Sequence, residues 1–350
     1  MIVVMLINRY NLAMIIMEVR MKKFVLVILV SIFAILIICL GTLYFTPKPL
    51  FKLVQGLPIE AKLTKPNGYQ QIEDRVKTIN DISYSKEYPE STLDLYLPKK
   101  TNSKIPVIVF VHGGGFFKGD KKMAQYFGPT VSNGDYAFVS INYHLVPDAT
   151  IFDQVRQVNQ ALAFVTKNAE KYQFDPTQIN LSGSSAGGFL ALQLLSAYHN
   201  KEYAKQIAIQ PVENLRINSL LLYSAVFDLS EFQTYQGNLA TNYLLSKMGW
   251  GLTGEKNWKE DHRLGQLLDL RKLISKDFPP IFITDGNTKT FTKQAKQYVG
   301  ELKKEEVPVV SLFFDGQQTV GHGYQLNMET KASSQAVEKT IWFLENYHSK

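Results

Sequence analysis

The segment Leu181-Ser182-Gly183-Ser184-Ser185-Ala186-Gly187-Gly188 constrains this chain more than any other. It holds the pattern Gly-x-Ser-x-Gly with Ser185 at its centre. Residues 178–181 read as a short buried strand and residues 189–195 as a helix, so the motif joins strand to helix. A turn that tight leaves no room for side chains at Gly183 and Gly187. It lifts the Ser185 hydroxyl from the top of a sheet, at a helix N-terminus that favours developing negative charge.

A second element lies upstream. Residues 105–111 form an apolar run that reads as a strand buried on both faces. His112-Gly113-Gly114-Gly115-Phe116 follows directly. Glycines there leave backbone N–H groups uncovered and able to approach a reacting carbonyl. Acyl transfer builds charge on the carbonyl oxygen, and each fixed donor stabilises it by about 10²–10³ in rate. Gly114 and Gly115 are assigned as two donors of this oxyanion hole, and the Ala186 N–H as the third. His112 reads as a pin for the glycine loop rather than as a base.

A serine hydroxyl needs an adjacent base to act as a nucleophile. The chain has six histidines. In the Ser…Asp…His order that accompanies such a turn, the base follows the last strand. Residues 307–314 read as that strand. His322 follows in Gly321-His322-Gly323-Tyr324, before a terminal helix at about 330–347. His199 ends a helix and His348 lies in the polar tail, both as surface residues. His262 falls in an insertion, where contact with substrate is open. The acid should follow the preceding strand, 280–284, and Asp285 is the choice. Asp228, after the strand at 220–224, is the alternative. Asp315 reads as a turn residue, and an ordinary Asp-Gly turn remains the other reading of Asp285.

Together these motifs resemble the α/β-hydrolase superfamily. The nearest likeness is its carboxylesterase/lipase branch, which includes hormone-sensitive-lipase-like and feruloyl or acetyl esterase-like enzymes. Further residues carry the resemblance: Gly119-Asp120-Lys121, Asn142-Tyr143-His144-Leu145-Val146-Pro147, Asp175-Pro176 and the early strand Leu93-Asp94-Leu95-Tyr96-Leu97-Pro98. It spans roughly residues 75–347. It implies an α/β fold with a mainly parallel central sheet flanked by helices, and hydrolysis of carboxylic esters. Two departures stand out. His144 replaces the Arg of the related Asn-Tyr-Arg. The related acid lies two or three residues past the glycine matching Gly286, where this chain has Thr288 and Lys289. Either Asp285 is presented instead, or another acid serves, or catalysis is impaired.

Residues 24–45 are 22 residues without a charge. At about 1.5 Å per residue they reach across a hydrocarbon core of about 30 Å, which predicts a transmembrane anchor. Arg20, Lys22 and Lys23 precede it, favouring a cytoplasmic segment 1–23 and a catalytic domain on the extracytoplasmic side of the cell membrane. A cleaved signal is the competing reading, opposed by the length of the run. Met21-Lys22-Lys23 also looks like a start, so residues 1–20 are expected to be an untranslated extension. Residues 46–70, with several prolines, read as a linker or partly helical stalk.

That leaves residues 71–350 for one large α/β-hydrolase domain. Predicted helices include 153–171, 186–198 and 291–304. Residues 228–278 separate two strands by too much chain for a simple crossover and predict a helical lid. The lid is rich in apolar side chains: Phe232, Tyr235, Tyr243, Leu244, Leu245, Met248, Trp250 and Trp258. The sole cysteine, Cys39, sits in the apolar run, which excludes an internal disulfide in the domain and thiolate zinc sites. The net charge of +7 carries no basic run with interleaved aromatics, so nucleic acid is not an expected partner.

The expected activity is that of a serine carboxylesterase using Ser185, His322 and Asp285, with no metal or organic cofactor. The expected substrates are short- to medium-acyl esters, as small molecules or linked to polysaccharide. An amidase, peptidase or acyltransferase on the same fold, and a non-catalytic binding module, remain the alternatives.

Overall fold

The computed structural model describes residues 2–58, 61–101 and 103–347. His348, read from the sequence as part of the polar tail, lies outside the described residues. The chain divides into two compact units, Met1–Leu53 and Val54–Lys350.

The first unit is dominated by one helix, Ile2–Phe45. Its stretch Arg9–Phe45 is long and apolar enough to cross a membrane. The sequence reading separated a cytoplasmic segment from the apolar run at residue 24, but the helix continues through Arg20, Lys22 and Lys23. The cause is local: no Gly or Pro interrupts residues 2–40. Glu18 and Lys22 also pair at 2.6 Å, one helical turn apart.

The second unit is built on an eight-stranded sheet. In chain order the strands are β1 (Val76–Ser83), β2 (Thr92–Pro98), β3 (Ile105–Val111), β4 (Ala137–Ile141), β5 (Phe174–Ser184), β6 (Ile217–Tyr223), β7 (Ile281–Asp285) and β8 (Val309–Phe313). Their spatial order is β1-β2-β4-β3-β5-β6-β7-β8. β1 pairs antiparallel with β2, and β2 antiparallel with β4. All later pairings are parallel. This is the α/β-hydrolase arrangement expected from the motifs. All seven positions of β6 are buried, and apart from Asn218 and Ser219 they are apolar or aromatic, as suits a strand covered on both faces.

Helices Ile151–Lys167 and Ala186–His199 cover one face, and Phe127–Ser132 and Lys331–Asn346 the other. Phe110, Phe127, Phe138, Tyr223, Phe282 and Phe343 share one buried cluster. The helix read as 153–171 starts earlier and stops at Lys167. Thr150 and Asp153 form a reciprocal cap at its start. The strand read as 178–181 extends to eleven residues: it pairs with both β3 and β6 over residues 179–183, and Phe174 at its start pairs with Ile105.

The insertion between β6 and β7 is helical, with helices Glu231–Thr234, Leu239–Thr253 and His262–Leu268. Charged residues hold its base. Asp228 and Asp269 face each other in a β-bridge, and Arg271 binds both carboxylates and Glu231. Both aspartates are buried, and the shared guanidinium compensates them.

Candidate active site

Ser185 sits at φ 53°, ψ −119°, between the end of β5 and helix Ala186–His199. A non-glycine residue at positive φ is costly, and the surroundings hold it there. The Ser185 N–H donates to the Tyr223 carbonyl at 2.9 Å. A Cβ on Gly183 would lie 2.3 Å from the Gly187 carbonyl oxygen, and one on Gly187 would lie 2.1 Å from that of Val111. Both glycines are therefore required for β3, β5 and the helix to meet.

His322 lies on the loop after β8. Its Nε2 is 2.8 Å from Ser185 Oγ. The loop is held from two sides. Gly323 N–H donates to Ser224 Oγ at 3.1 Å, and Phe291 packs its edge on the imidazole at 5.5 Å. The side chain of Asn287 laces the loops after β7 and β8 together. Its amide donates to the Asp315 and Gln318 carbonyls, and its carbonyl accepts from Val320 N–H. Burial holds the His322 pKa below its ordinary value, and the Asp285 charge opposes that shift. The ring is thus neutral and basic near neutral pH.

Asp285, the last residue of β7, is fully buried. Its Oδ1 accepts from Gly286 N–H at 2.8 Å and from the Thr290 hydroxyl. Thr290 Oγ1 in turn lies 3.1 Å from His322 Nδ1. Among the described residues no hydrogen bond joins Asp285 to His322 directly, and Asp285 Oδ2 has no partner. Burial raises the Asp285 pKa, opposed by the Thr290 and Ser224 hydroxyls, His322 and the Gly286 N–H. Asp228 is committed elsewhere: Ser230 and Arg271 take its two oxygens. Asp315 is an exposed turn residue accepting from Gln317 N–H at 3.2 Å. Thr288 turns to Asn287, and Lys289 is exposed at positive φ, so neither stands in for an acid.

Gly114 and Gly115 sit at φ 118° and 63° beside the turn. A Cβ on Gly113 would lie 3.1 Å from that of Ser185, which measures how closely the loop approaches. Among the described residues, no protein acceptor takes the N–H of Gly114, Gly115 or Ala186. His112 is buried beneath them. Its Nδ1–H donates to the Gly113 carbonyl at 2.7 Å, and its ring stacks on Tyr143 at 4.2 Å. The Tyr143 hydroxyl donates back to the His112 carbonyl at 2.9 Å. Burial depresses the His112 pKa to about 4, so it is a neutral structural residue.

Gly115, Ser185 and Ala186 line a cavity of about 180 Å³. Its remaining wall is almost wholly apolar. Of the lid residues, Phe232, Leu245, Met248 and Trp258 face it, while Tyr235, Tyr243 and Leu244 are exposed. Lys247 and Lys256 lie over the Trp250 ring. His262 opens a lid helix and is exposed, outside the cavity lining, so contact with substrate there is not supported. His199 is exposed at a helix end against Phe278. His144, in place of the Arg of the resemblance, stacks on Tyr88 and bonds Glu90 at 2.6 Å.

A family model described as BD-FAE matches residues 93–299, more than half of the chain and the stretch that carries Ser185, the glycine loop and Asp285. The chain belongs to the BD-FAE family. Outside that match lies the His322 loop. The isoprenylcysteine alpha-carbonyl methylesterase of Arabidopsis thaliana is 34% identical over 116 residues, covering 33% of this chain and 27% of that protein. The chain thus spans about a quarter of that relative's length. Kynurenine formamidase of Drosophila melanogaster is 22% identical over 265 residues, covering 73% of this chain and 79% of that protein. Among solved structures, esterase B from Lactobacillus rhamnosis has a TM-score of 0.69 at 20% identity, over 81% of this chain and 87% of its own. That likeness is one of fold.

Thr290 was missed in the sequence. The signal was indirect: the related acid position holds no carboxylate, and a hydroxyl two residues past Thr288 takes up the space between Asp285 and His322.

Proposed function

We propose that this BD-FAE protein is a serine carboxylesterase. The observation that carries the reading is the 2.8 Å contact between Ser185 Oγ and His322 Nε2 at the mouth of an apolar cavity. Ser185 Oγ attacks the ester carbonyl carbon while its proton passes to His322 Nε2. The oxygen that gains charge lies against the N–H groups of Gly114, Gly115 and Ala186, at the N-terminus of helix Ala186–His199. The C–O bond then breaks, and the leaving alcohol takes the proton from His322. Water, deprotonated by the same nitrogen, attacks the acyl-serine and releases the acid. Asp285 supports the imidazolium that forms in both halves.

The cavity supports an apolar acyl group of short to medium length, carried by a small molecule or a polysaccharide. The helix Ile2–Phe45 supports a membrane anchor. In this reading residues 24–45 span, 46–70 form a stalk, and residues 71–350, with the lid at 228–278, act on the extracytoplasmic side.

The test is hydrolysis of p-nitrophenyl acetate and butyrate by the full chain in detergent. Ser185→Ala is expected to lower kcat by at least about 10⁴-fold. Turnover unchanged by that substitution would sink the reading. The formamidase likeness favours a second substrate class, a formamide, and faster turnover of it than of either ester would move the assignment to amide hydrolysis.

A further inference from the structure

The connection between Asp285 and His322 runs through a third side chain. We infer that Thr290 is a positioning residue, whose hydroxyl passes the orienting influence of the Asp285 carboxylate to His322 and thereby selects the imidazole tautomer that activates Ser185. The inference deepens the esterase reading and rests on it.

The geometry and the donor count carry the argument. The Thr290 hydroxyl has one proton and two lone pairs. An ionised Asp285 only accepts, so the Thr290 proton goes to Oδ1. Thr290 Oγ1 then has lone pairs left, and His322 Nδ1 at 3.1 Å donates to it. With its proton on Nδ1, His322 presents a lone pair at Nε2, where Ser185 Oγ–H lies at 2.8 Å. Every bond in the chain Ser185–His322–Thr290–Asp285 then points the same way, toward the carboxylate. The reverse polarity needs a protonated Asp285 donating to Thr290, with Thr290 donating to Nδ1. That puts the imidazole proton on Nε2, where it blocks attack.

The local backbone explains why a hydroxyl is needed. Asp285 ends the strand itself, one residue before Gly286, so its carboxylate stays at sheet level. Gly286 cannot yield space, since a Cβ there would meet the Val320 carbonyl oxygen at 2.3 Å. The chain then turns outward through Thr288 and Lys289 and returns at Thr290, just before helix Thr292–Lys304. That return brings a hydroxyl between the strand end and the imidazole. Asp285 is the charged group acting on His322.

The experiment compares the full chain with Thr290→Val, Thr290→Ser, Asp285→Asn and the double variant Thr290→Val/Asp285→Asn. One readout is the rate at which a fluorophosphonate labels Ser185, in which the Ser185 O–P bond forms, fluoride leaves and His322 takes the serine proton. The others are kcat and KM for p-nitrophenyl butyrate across pH, and the thermal midpoint. Thr290→Val is expected to cut labelling and kcat by about 10²-fold with KM nearly unchanged. It should also move the acid limb to lower pH, as the carboxylate loses its route to the ring. Thr290→Ser should restore most of the rate, and the double variant should be no worse than Asp285→Asn alone. Folding is monitored by the midpoint, and the serine rescue separates a lost hydroxyl from lost packing.

Labelling and kcat of Thr290→Val within a few-fold of the parent would overturn the inference while leaving the esterase reading intact. So would a full additional loss on adding Asp285→Asn to Thr290→Val. A folded parent that neither labels at Ser185 nor hydrolyses esters would instead remove the esterase reading, and this inference with it.

Discussion

At the scale of single residues, the site is made by backbone constraints more than by reactive groups. Gly187 lies where β3 passes closest to the turn, and its substitution by Ala puts a methyl carbon into the Val111 carbonyl. Gly187→Ala is expected to cost about 3 kcal/mol or more and to abolish ester turnover. A denaturation midpoint and activity equal to the parent's would contradict this. His112 makes a pH-dependent contribution of definite sign. Its pKa is about 4 in the fold against an ordinary 6.5, so the unfolded chain binds the extra proton between those values. Stability from this group is complete above 6.5 and is lost as pH falls toward 4, by about 3 kcal/mol across the window. Denaturation curves at pH 7 and pH 4.5 should show a smaller fall for His112→Gln than for the parent, and equal falls would refute the assignment.

The same scale shows what was legible. Ser185, the glycines and His322 could be read because each is bound to a local pattern, a turn that only glycine permits or a loop that closes the last strand. The acid was only partly legible. Whether a carboxylate at 285 reaches a ring at 322 depends on how residues 286–290 turn, and that turn is shaped by Val320 of the loop after β8, which bonds Asn287 and Thr288 and crowds Gly286. No spacing rule encodes such a contact, so the intervening Thr290 went unread.

At the scale of elements, the sheet gathers the site at its carboxyl end. The glycine loop follows β3, Ser185 follows β5, Asp285 ends β7 and His322 follows β8. The helical insertion after β6 lines the cavity and is tied down by charge. Asp228 and Asp269 come from chain positions far apart; Arg271 bridges both, and Lys272 adds a second cation to Asp269. That cluster was illegible in the sequence, where Asp228 looked like a rival catalytic acid. Arg271→Leu leaves two buried carboxylates without their shared cation and should destabilise the lid by about 3–5 kcal/mol. Limited proteolysis checks it: cleavage within residues 231–273 should appear in the variant well before the parent, and identical cleavage patterns would contradict it. Met248 reports on the cavity. Met248→Trp is expected to lower p-nitrophenyl octanoate turnover relative to acetate by about 10-fold or more, by filling space the longer chain needs. An unchanged ratio would place the acyl chain elsewhere.

At the scale of the whole molecule, a catalytic unit of the BD-FAE family follows a helix long and apolar enough to cross a bilayer. The composition made the helix plain, while its continuation through Arg20, Lys22 and Lys23 rests on the absence of a helix breaker and on the Glu18–Lys22 pair. In cells the full chain is expected to stay with the membrane fraction in alkaline carbonate, and protease added to intact spheroplasts should digest the catalytic unit. Recovery in the soluble fraction, or protection from that protease, would contradict the anchored, outward-facing arrangement.

The most direct test of the central claim is to trap the acyl-enzyme. The full chain is mixed with p-nitrophenyl butyrate, quenched in acid within the first turnovers and digested, and its peptides are weighed. The account predicts one butyryl group on the peptide carrying Ser185, absent in Ser185→Ala and longer-lived when His322 is replaced. Release of p-nitrophenol with no acyl group on Ser185, or with the group on another residue, would contradict it.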